Sequence, residues 1–246
     1  MIKLIKRLTR ILLPEQKIWE FKNKNNIPSM EWSLLQLKRL GFSPNFVIDI
    51  GAFEGEWSVM FKKIFPSAKI LMIEAQAEKE NRLQQTTGSL SETAYYIGLL
   101  GSESGRQVSF HVNSTVSSVL KEHKPNDFRT EPRRLETLDG ILAKNRFHST
   151  GPDFIKLDVQ GYELEILKGA VASLAEVQFI LCEVSLLEIN ADAPLLADVI
   201  RFMDQSSFVT YDICSFIRRP LDRALWQTDL LFIRKGHPLI QNKFWS

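Results

Sequence analysis

The chain has 246 residues, 44% of them hydrophobic and 24% charged, and its formal net charge at pH 7 is +2. This is the composition of an ordinary globular protein that is long enough to bury one full core. The nearly balanced charge excludes the strong basic field of a typical nucleic-acid-binding domain, so we expect no nucleic-acid partner.

Residues 1–13 interleave apolar and basic residues at helical spacing and are followed by Pro14. They lack the apolar core and cleavage site of a secretory signal. We assign residues 1–28 to an amphipathic, basic helical appendage and residues 29–246 to the main domain. Residues 1–13 could contact a membrane surface or a partner, or could form a cap helix packed on the domain. No apolar run reaches the length of a membrane span, and nothing indicates an oxidising compartment, so we expect a cytoplasmic protein.

From residue 29 the chain alternates helix and strand signals, which is typical of a parallel sheet covered by helices on both faces. The predicted strands are Phe46–Ile50, Lys69–Ile73, Ala94–Leu99, an extra strand Val108–Val112, Phe154–Val159, Phe179–Val184, Val209–Phe216 and Asp229–Arg234. Helices are predicted from Ser29 to Gly41, through Trp57 to Ile64, at Glu78–Gln85, from Tyr162 to Gly169 and from Pro194 to about Asp204, with a long loop from Asn113 to Arg133. The last two strands form a hairpin beside five parallel strands. The pattern therefore predicts an α/β fold with a seven-stranded, mostly parallel sheet that ends in an antiparallel hairpin.

A glycine turn follows the first strand in the sequence Asp49-Ile-Gly51-Ala-Phe-Glu-Gly55, and the second strand leads into Glu74. The carboxylate falls roughly 20 residues past the glycines, the distance at which an acid meets the ribose hydroxyls of a bound cofactor. Pyrophosphate sites need three closely spaced glycines, whereas here an acid precedes the first glycine. The turn therefore favours S-adenosyl-L-methionine, which carries an ammonium, a sulfonium and a ribose but no phosphate. A strand–turn–helix joint without a ligand is the alternative.

The block Asp153-Phe-Ile-Lys-Leu-Asp-Val-Gln-Gly-Tyr-Glu-Leu-Glu-Ile-Leu-Lys-Gly169 resembles the FkbM family of S-adenosylmethionine-dependent methyltransferases. Blocks that agree in order include Asp49-Ile-Gly-Ala52, Ile73-Glu-Ala-Gln76, Ser117-Ser-Val-Leu120 and Glu136-Thr-Leu-Asp139, within roughly residues 29 to 235. The chain departs from the family at Phe53 and Ala75, where Asn and Pro are common. The resemblance implies a Rossmann-like class I methyltransferase fold. It also implies O-methylation of a hydroxyl on a glycan, glycolipid or secondary metabolite, so that the partner is a small-molecule or glycan acceptor.

Several positions are expected to contact the cofactor or to shape its site. Asp49 and Gly51 would hold its methionine end, and Glu74 its ribose. The further predicted positions are Ala52, Phe53, Gly55, Ser58, Ala75, Leu99, Ser117 and Ser118. Packing is the alternative role for Phe53 and Leu99, and turn capping is the alternative for the two serines.

Three carboxylates, Asp158, Glu163 and Glu183, are candidates for removing the proton of the acceptor hydroxyl during an in-line displacement. Asp158 ends the fourth parallel strand at the topological switch point, where an acceptor would meet the cofactor. An ion-pair network of Lys156, Asp158 and Glu163 that orients the strand–helix turn is the alternative. Asp158 and Glu183 could share a divalent cation, but a third carboxylate of clear spacing is missing, and no metal ligand is predicted.

Two other functions compete with methyl transfer. A nicotinamide-dependent oxidoreductase would require a third close glycine and no acid before the turn, which is the opposite of the observed pattern. A non-catalytic cofactor-binding partner of a biosynthetic complex fits less well, because the Asp158–Glu163 block is intact. The sequence does not predict the oligomeric state.

Overall fold

The structure is a computed structural model that describes residues 25, 27–112, 117–121, 129–145, 150–188 and 190–244. The helix predicted at residues 1–13, like most of the proposed appendage, lies outside the described residues. No helix within the described ranges is long and apolar enough to cross a bilayer.

Seven helices occur in the described residues: α1 (Met30–Arg39), α2 (Glu56–Ile64), α3 (Glu80–Ser89), α4 (Leu138–Asn145), α5 (Glu163–Lys168), α6 (Val171–Glu176) and α7 (Leu196–Gln205). The strands of the main sheet are β1 (Phe46–Ile50), β2 (Lys69–Glu74), β3 (Thr93–Ile97), β7 (Phe154–Leu157), β8 (Phe179–Ser185), β9 (Phe208–Ile213), β10 (Ile217–Arg218) and β11 (Leu225–Arg234). A smaller sheet contains β4 (Leu99–Leu100), β5 (Gln107–Val112) and β6 (Arg129–Glu136). Short 3₁₀ turns lie at Ala77–Lys79 and Pro238–Ile240.

The main sheet has the order β3–β2–β1–β7–β8–β11–β9. The short strand β10 also pairs with β11, in the antiparallel direction. Strands β3, β2, β1, β7 and β8 are parallel to their neighbours. Strand β11 is antiparallel to both β8 and β9. The predicted Rossmann-like fold of class I methyltransferases is confirmed, with the two-residue β10 in addition to the seven predicted strands.

Helices cover both faces of the main sheet, as predicted. One core layer contains Leu34 of α1 and Phe61 of α2, packed with Phe154 and Phe179 of the sheet. The other layer contains side chains of α4, α5 and α7, packed against the opposite sheet face. All five residues of β1 are buried. Burial on both faces fixes the carboxyl ends of the parallel strands, from which the candidate site is built.

The small sheet corrects two sequence predictions. The predicted strand Ala94–Leu99 is divided, because β3 ends at Ile97 and β4 pairs with β6 in the other sheet. Residues Arg129–Glu136, of which the first five were predicted as loop, form a strand antiparallel to β5. The sequence of this strand is mostly polar and shows no alternation of apolar residues that would predict a strand. The apolar residues that pair with it lie on β5 and β4. Pro132 is tolerated because it lies where β6 pairs with β5 alone.

Other boundaries also differ from the prediction. Helices α4 and α6 were not predicted as helices. Strand β7 ends at Leu157, because the chain turns sharply at Gln160 (φ 57°) and Gly161 (φ 97°). Strand β11 begins at Leu225 rather than Asp229, since its first residues pair with β10 beyond the end of β8.

Candidate functional site

A cavity of about 290 Å³ opens at the carboxyl ends of β1, β2 and β7. Most of the predicted site residues line it, namely Gly51, Ala52, Phe53, Glu74, Ala75, Leu99, Ser117, Ser118 and Asp158. The predicted residues Asp49, Gly55, Ser58, Glu163 and Glu183 are not part of this lining. The cavity therefore lies where parallel-sheet proteins bind ligands, at the switch point of the strand order.

The turn after β1 forms one wall of the cavity and depends on Gly51. The backbone N–H groups of Gly51 and Ala52 both donate to the carbonyl oxygen of Ile73, which joins this turn to β2. Gly51 has φ 72°, and a Cβ atom there would lie 1.9 Å from the carbonyl oxygen of Asp158. Only glycine fits, so the turn after β1 and the turn after β7 touch backbone to backbone.

Glu74 is held by two backbone donors at the end of β2. Phe53 N–H donates to Glu74 Oε2 and Gln76 N–H donates to Oε1, each at 2.8 Å. Because a carboxylate has about four acceptor positions, each oxygen can accept one further hydrogen bond. The arrangement suits a pair of hydroxyl donors, such as those of a ribose.

Phe53 has a left-handed conformation (φ 51°) at the rim of the cavity. Its ring is covered by Lys79, whose Nζ lies 3.6 Å from the ring centroid. The same ammonium donates to Glu54 Oε1 at 2.9 Å. The cation–π contact and this ion pair hold the turn in place on the side of the cavity next to β2.

The predicted ligand Asp49 lies beneath the cavity and is fully buried. Ser58 Oγ donates to Asp49 Oδ2 at 2.7 Å, which accounts for the buried serine. Asp49 Oδ1 lies 3.2 Å from Lys156 Nζ, a close ion pair that lacks hydrogen-bond alignment. A direct contact between Asp49 and a cofactor stays a prediction.

Lys156 lines the cavity directly above Asp49. Its Nζ donates to the carbonyl oxygen of Gly51 at 3.0 Å and lies 3.7 Å from Asp158 Oδ2. Burial opposes the charge of Lys156, but the carboxylates of Asp49 and Asp158 outweigh burial and raise the pKa of Lys156 above its usual value. The alternative drawn from the sequence was an ion-pair network of Lys156, Asp158 and Glu163. In the structure Lys156 pairs with Asp158 and with Asp49, whereas Glu163 Oε1 binds backbone N–H groups instead.

Asp158 reaches the cavity with a side chain that is 39% exposed. Gln160 Nε2 donates to Asp158 Oδ1 at 3.1 Å and to Glu183 Oε2 at 2.8 Å. Gln227 Nε2 donates to the same oxygen of Glu183 at 2.9 Å. Burial, and then the negative charge of Asp158, raise the pKa of Glu183 well above its usual value. The two acids are therefore joined through the amide of Gln160.

Glu163 lies behind the turn that carries Asp158. Its Oε1 accepts the backbone N–H groups of Val159 at 3.0 Å and Gly161 at 3.1 Å. Burial raises the pKa of Glu163 to about 7, although these hydrogen bonds partly oppose the shift. The contacts give Glu163 a clear role in fixing the conformation of the turn.

Ser118 is buried and uses its hydroxyl within the protein. Ser118 Oγ donates to the carbonyl oxygen of Gln160 at 3.1 Å and accepts the N–H of Leu120 at 3.1 Å. The second contact is the turn-capping role that was the alternative for this residue. The first contact attaches residues 117–121 to the turn after β7. Residues 117–119 of this segment line the cavity.

Sequence reasoning missed several lining residues, among them Gln160, Tyr162 and Phe110. Gln160 and Tyr162 belong to the block after β7, so their proximity to Asp158 along the chain was an available signal. Phe110 comes from β5, outside the main sheet, and no sequence signal places it near the cavity. Among the described residues, no group of three or more His, Cys, Asp or Glu side chains could hold a metal ion.

Comparison with known proteins gives one family match. The sequence model of the methyltransferase FkbM domain matches residues 49–211, about two thirds of the chain. This segment contains the glycine turn, Glu74 and the Asp158 turn. No curated protein matches the sequence significantly.

Solved structures similar to the chain include three methyltransferases. Magnesium protoporphyrin IX methyltransferase from Synechocystis PCC 6803, with bound SAH, has a TM-score of 0.49 and 11% identity, covering 83% of this chain and 81% of its own. Precorrin-6y C5,15-methyltransferase from Geobacter metallireducens GS-15 has a TM-score of 0.47 and 11% identity, with coverages of 85% and 88%. An N-methyltransferase from Bradyrhizobium japonicum WM9 has a TM-score of 0.47 and 10% identity, with coverages of 83% and 94%.

Proposed function

Because the chain belongs to the FkbM family of S-adenosylmethionine-dependent methyltransferases, we propose that it methylates a hydroxyl oxygen of a glycan, a glycolipid or another small molecule. The observation that carries the proposal is the position of Asp158. This carboxylate lines the cavity at the switch point, is partly exposed, and lies beside the buried cation of Lys156. It is placed to accept a proton from an acceptor that enters the cavity.

The cavity lining fits the cofactor in three respects. Glu74 keeps acceptor positions for the two ribose hydroxyls after binding Phe53 and Gln76. Glu56 and Asp158 also line the cavity, and their negative charge would attract the positive charge of a sulfonium. Gly51 and Ala52 contribute a wall of backbone with little side chain, which permits close approach.

When bound, S-adenosylmethionine would supply an electrophilic methyl group for transfer to the acceptor oxygen, with S-adenosylhomocysteine as the leaving group. Asp158 takes the hydroxyl proton as this oxygen becomes nucleophilic. Lys156 Nζ lies 3.7 Å from Asp158 Oδ2, and this ion pair holds the carboxylate at the wall of the cavity. Gln160 fixes the orientation of Asp158 through its bond to Oδ1.

Of the three predicted acids, Asp158 alone lines the cavity. Burial, and then the charge of Asp158, raise the pKa of Glu183 well above its usual value, and Glu183 does not line the cavity. Glu163 uses one oxygen to bind the turn and does not line the cavity. We therefore assign proton removal to Asp158 and a supporting role to Glu163 and Glu183.

The experiment that tests this function combines binding with transfer. Calorimetric titration of the full chain with S-adenosylhomocysteine should give micromolar-range binding, and NADH should not bind. Methyl transfer from labelled S-adenosylmethionine is then measured on a panel of hydroxylated glycans and lipids, with matched amines. Asp158→Asn should keep S-adenosylhomocysteine binding and lose roughly 10²-fold or more in transfer. Label on the amines alone would refute O-methylation, and absence of S-adenosylhomocysteine binding would refute the function itself.

A further inference from the structure

A basic and apolar loop stands at the edge of the main sheet. We define the arginine hairpin as residues 216–226, which contain β10 and the start of β11. Its apolar side chains are unusually exposed for their size: Leu221 is 84% exposed, Phe216 51% and Ile217 40%. Single exposed apolar residues are common on protein surfaces, but here three of them lie within one short hairpin.

The hairpin also contains three arginines. Arg218 and Arg223 are exposed, whereas Arg219 is half-buried. Arg219 binds Asp222 through two hydrogen bonds and lies over the ring of Trp226. Asp222 therefore neutralises Arg219, and the two exposed arginines give the tip its positive charge.

The turn of the hairpin has a defined backbone. Arg219 N–H donates to the carbonyl oxygen of Ala224 at 3.0 Å, and Arg223 N–H donates to that of Arg219 at 3.1 Å. Arg223 has φ 67°, a left-handed conformation that is uncommon for arginine. These contacts hold Leu221 at the tip with Arg218 and Arg223 beside it.

The hairpin lies on the same edge of the sheet as the cavity. Gln227 of β11 pairs with Ser185, the last residue of β8, and β10 pairs with β11 at and beyond this point. Since β7 and β8 are parallel, the carboxyl end of β8 lies beside the turn that carries Asp158. A surface that contacts the hairpin therefore faces the edge at which the cavity opens.

We propose that the arginine hairpin docks on the surface of an anionic lipid membrane. Phosphate headgroups would meet Arg218 and Arg223, and the interfacial acyl region would take Leu221 and Phe216. A soluble anion would pair with the arginines but would leave the apolar side chains in water. A second copy of the chain, packed tip to tip by two-fold symmetry, would bring like charges together.

Membrane docking also narrows the acceptor class, on the basis of the function proposed above. With the hairpin on a bilayer, the cavity edge faces the headgroup layer. The acceptor is then a hydroxyl carried by a lipid, such as a lipid-linked sugar. The sequence of residues 1–13, with alternating basic and apolar residues, suits the same surface.

The test uses the full chain and flotation with phosphatidylcholine vesicles, with or without phosphatidylglycerol. The hairpin variant is Leu221→Asp with Arg223→Asn, since Asn tolerates the left-handed backbone at that position. The matched control is Val171→Asp with Lys63→Asn, two exposed positions outside the hairpin that give the same change in charge. Each surface arginine contributes about fivefold to partitioning on an anionic membrane.

We expect the unaltered protein to float with anionic vesicles and not with neutral ones. The partition coefficient of the hairpin variant on anionic vesicles should be lower than that of the unaltered protein by roughly tenfold or more. That of the control variant should stay within about twofold of the unaltered protein. Equal partitioning of the hairpin variant and the unaltered protein, an equal loss in the control variant, or no binding to anionic vesicles would overturn the proposal. S-adenosylhomocysteine titration of the hairpin variant separates the two proposals, because loss of lipid docking leaves cofactor binding intact.

Discussion

Lys156 Nζ lies 3.2 Å from Asp49 Oδ1, and the two side chains form a buried ion pair below the candidate cofactor cavity. The pair joins adjacent strands, since Asp49 of β1 is in register with Lys156 of β7. Lys156 extends the pair to Gly51 and Asp158, which line the cavity. The negative charge below the cavity is thus linked to the proposed proton acceptor through one ammonium.

Replacing this ammonium should be strongly destabilising. In Lys156→Met the carboxylate of Asp49 remains buried without a cation, and we expect the free energy of unfolding to fall by about 3–5 kcal/mol. Urea denaturation measures the change. Lys63→Met, at an exposed site, should change stability by less than about 0.5 kcal/mol. The double variant Asp49→Asn with Lys156→Met should lose less than the sum of the two single variants. Additive losses would show that Asp49 and Lys156 do not stabilise each other.

The main sheet was predictable because its strands are buried runs bounded by glycine, proline and polar residues. β1 was predicted with its observed bounds, since four of its five residues are apolar. β6 was not, because its sequence Arg-Thr-Glu-Pro-Arg-Arg-Leu-Glu is polar and its order comes from pairing with β5. Strand pairing between distant segments overrides local preference in such cases.

The positions of the turn residues in the site were predictable from the sequence, whereas the partners of its charged side chains were less so. Gly51 and Glu74 were predicted from spacing alone, and both line the cavity. Asp49, expected at the ligand for the same reason, is buried and does not line the cavity, whereas its partner Lys156, 107 residues later, does. The spacing of residues along a chain indicates which strand ends meet, whereas the depth of a side chain depends on partners from other strands.

A methyl group at Gly51 should disrupt the contact between the two site turns. The added Cβ would lie 1.9 Å from the carbonyl oxygen of Asp158, and the residue already has φ 72°. We expect Gly51→Ala to lower the free energy of unfolding by about 2 kcal/mol or more, since backbone on both sides must shift. Differential scanning calorimetry measures the loss.

Gly88→Ala provides the matched control for Gly51→Ala. Nothing lies within 4 Å of a Cβ atom at Gly88, which is in α3. Alanine should stabilise the protein there by about 0.5–1 kcal/mol. Similar effects of the two substitutions would contradict the close contact between the turns.

Glu163 should make stability depend on pH. Its folded-state pKa is raised to about 7 from an ordinary value of 4.5, chiefly by burial. Below the lower value the acid is neutral in both states, so there is no charge to desolvate. As pH rises from 4.5 to 7 the unfolded state ionises first, and the native state loses stability relative to it.

Glu163→Gln removes this titration and keeps an oxygen that can accept the N–H groups of Val159 and Gly161. The stability of the variant relative to the unaltered protein should therefore increase by about 3 kcal/mol between pH 4.5 and pH 8. Urea denaturation at both pH values gives this difference. A difference that does not change with pH would show that the pKa of Glu163 is the same in the folded and unfolded protein.

Glu74→Gln should weaken cofactor binding without abolishing the fold. One oxygen can still accept a backbone N–H, but the amide group would face the N–H of Phe53 or Gln76 and would lack charge for a ribose hydroxyl. Loss of a hydrogen bond to a charged acceptor costs about 1.5–3 kcal/mol, which corresponds to a roughly tenfold to hundredfold rise in the Kd for S-adenosylhomocysteine. Calorimetric titration measures this change, and Glu92→Gln, at an exposed position just before β3, serves as control. A Kd equal to that of the unaltered protein would remove Glu74 from the ribose site and leave its carboxylate as a support for the turn alone.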